Sequence, residues 1–409
     1  MTDSSAAAGP LAGTLVLDLS RVLAGPWATQ VLADLGAEVI KVERPGAGDD
    51  TRAWGPPFTT TPEGERSDAA YYFAANRNKR SVTVDMARPE GAELLRKLAA
   101  RADVVVENFK TGGLKKYGLD WPALKAINPR LVYCSITGFG QDGPDAGKAG
   151  YDYMIQAMGG LMSITGQADG APGAEPMKVG VAVADLFTGL YASNAVLAAL
   201  YQARATGRGQ RIDLALFDVQ AAMLTNQATN WFVSGQAPTR MGNAHPNLSP
   251  YQPFPCADGM VVIAVGNDGQ FRALTAALGR GELGTDARFA ANAERVANRV
   301  ELTAALSALT EGLPMAELMR RLETAGVPCG PVNTVDQVFA EPQALHRGLT
   351  VEQAREDLRH PVRTVATPIR LSEASTGAAT PPPALGQHTD EVLGALGLDV
   401  EALRGRGIV

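Results

Sequence analysis

The stretch GTLVLDLSRVLAGPWATQVLADLGAEVIKVE, residues 13–43, decides the fold class of this chain. It begins and ends with a short run of Val, Ile and Leu, and the helical segment WATQVLADLG lies between the two runs. The same alternation continues through the helical segment 89–102 and the apolar runs ADVVVENF (102–109) and RLVYCSITGFG (130–140). Short apolar strands that alternate with helices are typical of buried parallel sheets, so the sequence predicts a doubly wound α/β fold.

Further along the chain, residues 207–224 predict a turn, a strand and another helix, and the composition changes after them. Residues 240–262 are rich in Pro, Gly and Asn. We therefore expect a large domain of residues 1–225 and a smaller domain of residues 226–334. The C-terminal stretch 375–396 is Pro-rich and then helical, and it reaches back over either the first domain or a neighbouring subunit.

Composition excludes several functional classes. The chain has 43 acidic against 37 basic residues, so no broad basic surface is expected for nucleic acid or an anionic membrane. Its three cysteines, Cys134, Cys256 and Cys329, are odd in number and have no metal-like spacing, which favours reduced thiols in the cytoplasm. The start, MTDSSAAAGP, predicts a short flexible tail and no signal peptide, and no apolar run is long enough to predict a membrane span.

Two features suggest a nicotinamide enzyme, and neither has the required context. Glu43 ends the second strand, where dinucleotide folds keep an acid for the ribose, but the preceding loop offers only Gly25. A G-x-G-x-x-G string occurs at Gly138, Gly140 and Gly143, and the residues after it continue a turn instead of opening a helix. Metal, P-loop and serine-hydrolase motifs are also absent from the sequence, so we expect no metal, nicotinamide or flavin.

Asp185 stands alone among small and apolar residues in VGVAVADLFTGLYASNA, residues 179–195. Helical periodicity from Leu186 favours Asp185 as the N-cap of a helix that ends near Gly207. The alternative is that this carboxylate is a nucleophile, which needs no neighbouring base because it is already ionised at neutral pH. The residues alone leave both interpretations open, with the cap favoured.

Several stretches together resemble the family III CoA-transferases, the group of formyl-CoA transferase and carnitine CoA-transferase. Later stretches are similar to the branch that contains succinyl-CoA:glutarate CoA-transferase. The resemblance implies a Rossmann-like large domain completed by residues 335–409, a smaller α/β domain and an interlocked homodimer. The stretches that carry it are AGPWATQVLADLGAEVIKVERPGAGDDTR (24–52), NKRSVTVDM (78–86), AGYDYMIQAMGGLMSITG (149–166), VADLFTGLYA (183–192), NAHPNLSPYQPFPCADG (243–259), GVPCGPVN (326–333) and PPPALGQHT (381–389).

The resemblance also implies roles for single residues. Asp185 falls on the family's catalytic aspartate, which forms an acyl anhydride and then a CoA thioester. The small, apolar neighbours of Asp185 would then exclude water, which would otherwise hydrolyse these intermediates. Arg44 falls on the basic contact for the nucleotide end of CoA, and Lys116 replaces an Arg of formyl-CoA transferase. The positions that match CoA contacts are Ala24, Arg44, Asn108, Phe109, Lys116, Tyr151 and Asp152.

In the smaller domain, Gly242 lies where formyl-CoA transferase has a glycine-rich covering loop. Asn243 and His245 could donate hydrogen bonds to the distal carboxylate of a dicarboxylic acyl group, or His245 could simply fix the loop. We expect a cytoplasmic enzyme that moves CoA from a succinyl-type donor to a short dicarboxylic acid such as glutarate. The alternatives are a racemase or isomerase of the same superfamily, which has His where this chain has Tyr151, and a non-catalytic acyl-CoA-binding protein.

Overall fold

The computed structural model describes residues 8–409, so residues 1–7 of the predicted N-terminal tail lie outside the described residues. The strands are β1 (Leu15–Asp18), β2 (Glu38–Glu43), β3 (Phe58–Thr60), β4 (Arg66–Ala69), β5 (Lys79–Thr83), β6 (Val104–Glu107), β7 (Val132–Thr137), β8 (Arg211–Ala215), β9 (Tyr251–Cys256), β10 (Gly259–Ala264), β11 (Cys329–Pro331), β12 (Thr350–Gln353) and β13 (Val362–Val365).

The α-helices are α1 (Ala24–Asp34), α2 (Ala70–Phe73), α3 (Pro89–Ala99), α4 (Trp121–Ile127), α5 (Asp152–Met158), α6 (Leu161–Ile164), α7 (Val183–Thr206), α8 (Leu216–Met223), α9 (Thr225–Ser234), α10 (Asp268–Ala277), α11 (Asn292–Ala297), α12 (Arg299–Thr310), α13 (Met315–Thr324), α14 (Val335–Ala340), α15 (Pro342–His346), α16 (Thr389–Gly394) and α17 (Val400–Gly405). Short 3₁₀ helices span Asp50–Ala53, Lys115–Tyr117 and Gly281–Gly284.

The chain divides into two compact units. The first contains residues 8–160, Gly180–Met223 and Pro342–Val409, and the second contains Leu161–Val179 and Leu224–Glu341. The sequence had predicted the segment 161–179 as part of the large domain. It belongs to the second unit because Asp169 forms an ion pair with Arg240 and its backbone N–H donates to the Arg240 carbonyl oxygen at 3.0 Å.

The first unit is built on a six-stranded parallel sheet of order β5-β2-β1-β6-β7-β8. Alternate strand residues face two different core clusters: Val16 and Val104 face one, and Leu17 and Val105 face the other. Both sheet faces are therefore covered, which explains why the strands have nearly continuous apolar sequences. The predicted doubly wound α/β class is confirmed.

The C-terminal tail lies on the first unit of its own chain. The His388 N–H donates to the Ser81 carbonyl oxygen at 2.9 Å, and the Thr83 N–H donates to Thr389 Oγ1 at 3.0 Å. Near the C-terminus, the Asp85 N–H donates to the Ile408 carbonyl oxygen at 2.8 Å. The tail thus covers β5, the edge strand of the parallel sheet.

The second unit has its own antiparallel sheet of order β11-β10-β9. Its core contains Phe254 and Ile263 from the sheet together with Phe271, Leu306 and Leu322 from the helices. A separate core is the property of a separate domain.

Helix α7 is 24 residues long and carries Asp185 in its first turn. By length and composition alone it could cross a membrane, and it is the one helix of that kind within residues 8–409. The sequence analysis expected no such run. Ala192, Val196 and Ala199 of α7 nevertheless share the core cluster of the sheet strands, so α7 packs as a core helix of the first unit.

Candidate active site

A cleft of about 1180 Å³ opens at the carboxyl ends of the parallel strands of the first unit. Counted along the chain, the sheet strands have the spatial order 3-2-1-4-5-6, so the crossovers reverse direction between β1 and β6. Ligands of open α/β sheets bind at such a switch point, outside the carboxyl ends of the strands. The loops after β1, β2, β6 and β7 line the cleft, together with the first turn of α7.

The cleft collects most of the predicted site residues of the first unit. They come from separate parts of the sequence, and the strand ends bring them to one edge of the sheet. The predicted residues that line the cleft are Ala24, Arg44, Asn108, Phe109, Lys116, Tyr151 and Asp185. Asp152 is the exception, because it does not line the cleft.

Asn108 joins the two loops at the switch point. Its side-chain Oδ1 accepts from the Arg21 N–H at 2.9 Å, and its Nδ2 donates to the Arg21 carbonyl oxygen at 2.7 Å. The Arg21 guanidinium lies 5.7 Å from the centre of the Phe109 ring. Arg21 was not predicted as a site residue, since an exposed arginine in a loop has no distinguishing sequence signal.

Basic side chains line the cleft beside apolar walls. Arg44 and Lys116 were predicted, and Arg21, Lys110 and Lys148 join them in the structure. Guanidinium and ammonium groups bind phosphate oxygens, so this part of the cleft suits a phosphorylated nucleotide. The chain's overall negative charge hides this local basic character from composition.

Glu43 is engaged by protein groups and is not free to bind a ribose. Its two carboxylate oxygens accept from Arg52 Nη2 at 2.7 Å and Nε at 2.8 Å, from Ser81 Oγ at 2.6 Å and from the Asp49 N–H at 2.9 Å. Burial would raise the pKa of Glu43, but Arg52 and Lys41 hold that pKa below its ordinary value. The ribose-acid interpretation therefore has no support in the geometry.

The glycine string after β7 forms a loop. A Cβ on Gly138 would lie 2.6 Å from the Gly150 Cα, so two backbone segments touch where side chains cannot fit. The next helix, α5, begins only at Asp152, which is too far along for a helix start to hold a pyrophosphate.

Asp185 is not the N-cap of α7. The helix begins at Val183, Ala182 occupies the cap position, and Asp185 is the third helical residue. The start differs from the prediction because the carboxylate of Asp152, on α5, accepts hydrogen bonds from the backbone N–H groups of Ala184 at 2.8 Å and Asp185 at 3.4 Å. A carboxylate from another helix thus does the capping.

One turn after Asp185, Gly189 lets α7 approach α1 closely. A Cβ at this position would lie 2.7 Å from the Ala24 carbonyl oxygen and 2.9 Å from Trp27 Cδ1. Asp185 and Gly189 are four residues apart and share a helix face. The close contact therefore fixes which face of α7 lies against the start of α1, and Asp185 is on that face.

The carboxylate of Asp185 is partly buried and has no compensating charge. Burial, and then the nearby Asp152 carboxylate, raises the pKa of Asp185 from 3.8 to about 7. Among residues 8–409 no ion pair or hydrogen bond is made to this carboxylate. An acid with a strongly raised pKa at the wall of a cleft is a candidate functional group.

Two tyrosines belong to the same neighbourhood. Tyr151 lines the cleft, is 66% exposed and immediately precedes α5. Tyr71 of α2 was not predicted; burial, together with Asp185, Asp152 and Asp49, raises the pKa of its phenol. Tyr71 therefore remains a neutral hydrogen-bond donor close to Asp185. No spacing in the sequence links it to Asp185.

The remaining predicted site residues lie in the second unit. Gly242 has a positive φ of 62° and Asn243 is exposed. His245 Nδ1 accepts from the N–H groups of Asn247 and Leu248, both at 3.1 Å, and the His245 ring packs on Tyr251. Burial and Arg299 lower the pKa of His245, which favours the neutral ring. His245 therefore fixes its loop, and its Nε2–H remains available as a donor.

The geometry defines an α/β protein with a nucleotide-sized basic cleft and a desolvated carboxylate on its wall. The chain belongs to CoA-transferase family III, whose family model matches residues 11–389. The family resemblance predicted from the sequence is confirmed. Among residues 8–409 no group of three or more His, Cys, Asp or Glu side chains is arranged to hold a metal ion.

Known proteins are similar over nearly the full length. A succinate–glutarate CoA-transferase of Agrobacterium fabrum is 53% identical over 396 residues, covering 97% of this chain and 98% of that protein. The human succinyl-CoA:glutarate CoA-transferase is 45% identical over 388 residues, covering 94% and 85%. The crystal structure of a CAIB/BAIF family protein from Brucella suis matches with a TM-score of 0.83 at 53% identity, covering 95% and 100%.

Proposed function

We propose that this enzyme transfers CoA from a succinyl-CoA-type donor to a short dicarboxylic acid such as glutarate, with Asp185 as the nucleophile. The observation that carries the proposal is the Asp185 carboxylate, which lies at the cleft wall without a cation and with its pKa raised to about 7. The activities for which the two similar CoA-transferases are named support the donor and acceptor classes.

The proposed mechanism has four steps. Asp185 Oδ attacks the thioester carbonyl of the donor, the C–S bond breaks, and CoA leaves as the thiolate. The thiolate attacks Asp185 Cγ and releases the donor acid, which leaves a β-aspartyl–CoA thioester. The acceptor carboxylate attacks the same carbon and releases the thiolate, which then takes the acceptor acyl group and frees Asp185. Every intermediate is an anhydride or a thioester, so the energy of the donor thioester is conserved until the new acyl-CoA forms.

The cleft supports this chemistry at both ends. Arg44 and Lys116 supply charge for the phosphates of CoA, while Ala24, Asn108 and Phe109 line the path between the loops. Tyr151 lines the same cleft as Asp185, which supports a place for it near the reacting thioester. A phenol is a weak partner for α-proton transfer, so Tyr151 favours acyl transfer over racemisation.

The experiment combines the protein with succinyl-CoA and a panel of acids that includes glutarate, followed by mass spectrometry of the CoA esters. Glutaryl-CoA formation supports the proposal. Deuterium exchange at the α-carbon without a new ester indicates an isomerase, and binding without either reaction indicates an acyl-CoA-binding protein. Either of those two results would overturn it.

His245 and Asn243 are proposed to bind the distal carboxylate of the dicarboxylic acyl group, with Gly242 giving their loop its turn. Because Nδ1 of His245 accepts two backbone hydrogen bonds, the neutral ring carries its proton on Nε2, and this donor supports the role. His245→Ala should raise the KM for glutarate and leave the KM for succinyl-CoA nearly unchanged. An unchanged glutarate KM would show that His245 only holds its loop.

We also propose that the enzyme is a cytoplasmic homodimer with interlocked subunits and no nucleic-acid or membrane partner. Three free cysteines support a reducing compartment. Phe187, Leu190, Tyr191 and Tyr201 are exposed on α7 in the single chain, as expected of a helix that another subunit covers. Light scattering after gel filtration should give twice the chain mass, and a monomer would contradict the assembly.

A further inference from the structure

At the start of α7 the backbone N–H groups do not stabilise the aspartate that belongs to the first turn. An aspartate in the first helical turn normally gains from the free N–H groups there, and its pKa falls. In this protein the carboxylate of Asp152 binds the Ala184 and Asp185 N–H groups instead. These two N–H groups of α7 therefore donate to Asp152 and not to the Asp185 carboxylate.

Asp152 is held in this role by its own helix. Gln156 is fully buried one turn later on α5, and its Nε2 donates to Asp152 Oδ2 at 2.7 Å. This contact leaves Oδ1 to face the two amides of α7. Both oxygens of Asp152 thus accept hydrogen bonds from protein donors.

Among residues 8–409 no cation pairs with the Asp185 carboxylate. The Asp152 carboxylate of α5 acts on Asp185, and Asp185, Asp152 and Asp49 together act on the phenol of Tyr71 on α2. The pKa of Asp185 rises to about 7 for these reasons, burial first and Asp152 second. The ionised carboxylate of Asp185 is consequently less stable in this site than it would be in water.

We propose that Asp152 is a positioning residue of the transfer reaction: it holds the first turn of α7, and its negative charge favours the acylated forms of Asp185 over the free carboxylate. This inference rests on the proposed function. When Asp185 Oδ bonds to the acyl carbon, the C–S bond breaks and the negative charge leaves on the CoA sulfur. The repulsion between Asp152 and Asp185 is then relieved, and the same holds for the aspartyl–CoA thioester.

Asp152→Asn tests the charge, because Asn loses it and keeps an oxygen that can cap α7, while its NH2 group can donate to Gln156 Oε1 once the Gln156 amide turns over. The acid limb of kcat/KM should move down by about one pH unit, since removal of a like charge lowers the pKa of Asp185. With succinyl-CoA alone, the fraction of enzyme trapped as the Asp185–CoA adduct should fall up to about tenfold. Asp152→Glu, which keeps the charge, should retain the wild-type acid limb.

The control is Asp213→Asn, an exposed aspartate on β8, which should leave both readouts unchanged. An unchanged acid limb and adduct fraction in Asp152→Asn would reduce Asp152 to a helix cap and overturn the proposal. Titration of ¹³C-labelled aspartate, assigned with Asp185→Asn, reads the pKa of Asp185 without any turnover. A wild-type value near 4 would overturn the inference even if transfer occurs, whereas a raised pKa without transfer would contradict only the proposed function.

Discussion

The first unit contains two groups of buried acids, and the pKa values of Asp49 in one group and Asp185 in the other are shifted in opposite directions. Beneath the cleft, the ion-pair network of Asp18, Lys41, Glu43, Asp49, Arg52 and Lys79 pairs every carboxylate with a cation. At the start of α7, Asp185 has no ion-pair partner within residues 8–409, and its nearby charge is the Asp152 carboxylate. The pKa of Asp49 is lowered to about 2 and that of Asp185 is raised to about 7.

The difference shows that burial alone does not decide the role of an acid. Burial acts to raise the pKa of both side chains, and Lys41 Nζ, 2.8 Å from Asp49, reverses the result in the network. Lys41 also donates to the Ser20 carbonyl oxygen at 3.1 Å, so the network fixes the loops under the cleft. Acids paired with cations, such as Asp49, stabilise the loops of the site, whereas the unpaired Asp185 is the candidate reactive group.

The largest expected effect comes from removing the unpaired acid. Asp185→Asn should lower kcat by about 10⁴-fold, because the amide cannot form the anhydride. Steady-state assay with succinyl-CoA and glutarate, with a circular dichroism spectrum to verify folding, measures this loss. Retention of more than a tenth of the wild-type rate would remove Asp185 from the mechanism.

A substitution within the ion-pair network should instead lower the free energy of unfolding. Lys41→Met leaves Asp49 buried without its cation, which should cost about 3–5 kcal/mol of unfolding free energy. Urea unfolding at neutral pH checks the value. If the variant is as stable as the wild type, the network does not hold the loops under the cleft.

The two acids should also respond to pH with opposite signs. The folded pKa of Asp185 is above its ordinary 3.8, so the folded state binds the extra proton and loses stability as the pH rises from about 4 to about 7. Asp185→Asn should therefore stabilise the protein by on the order of 2 kcal/mol at pH 8, and the gain should vanish near pH 4.

Asp49 provides the matched comparison, since its lowered pKa stabilises the fold above pH 4 and that stability is lost towards pH 2. Asp49→Asn should accordingly destabilise the protein at pH 8. Thermal unfolding of both variants at pH 5 and pH 8 tests the pair. If the two substitutions change stability in the same direction at pH 8, the opposite effects of Asp185 and Asp49 on stability are contradicted.

The smallest expected effect comes from an ion pair in solvent. Arg21 and Asp50 are 2.8 Å apart, with side chains 51% and 46% exposed. Arg21→Gln should change the unfolding free energy by less than about 1 kcal/mol, because water already solvates both charges. A loss as large as that of Lys41→Met in the same urea experiment would show that exposure is not what separates the two pairs.

The sequence predicted much of the sheet and less of the site. Five strands of the parallel sheet, β1, β2, β6, β7 and β8, were predicted, but β5, with the sequence KRSVT, was not. Its Lys79 is buried only because Asp18, Asn76 and the Pro26 carbonyl oxygen surround the ammonium group. Such a strand depends on distant partners and has no signal of its own.

The site residues were predicted from the family resemblance. The structure added further residues and contacts that the resemblance did not include. Tyr71 and Arg21 carry no motif, and Asp185 was expected to cap a helix that in fact begins two residues earlier, at Val183. The cap comes from Asp152, which is on a different helix. A local pattern cannot include a partner 33 residues away.

The sequence by itself determined the parallel α/β architecture, because strands buried on both faces must be apolar throughout. It also contained the family pattern that includes Asp185. Only the tertiary structure decided that the pKa of Asp49 is lowered to about 2 while that of Asp185 is raised to about 7. Charges interact through space over a few ångströms, and the fold alone sets which charges come that close.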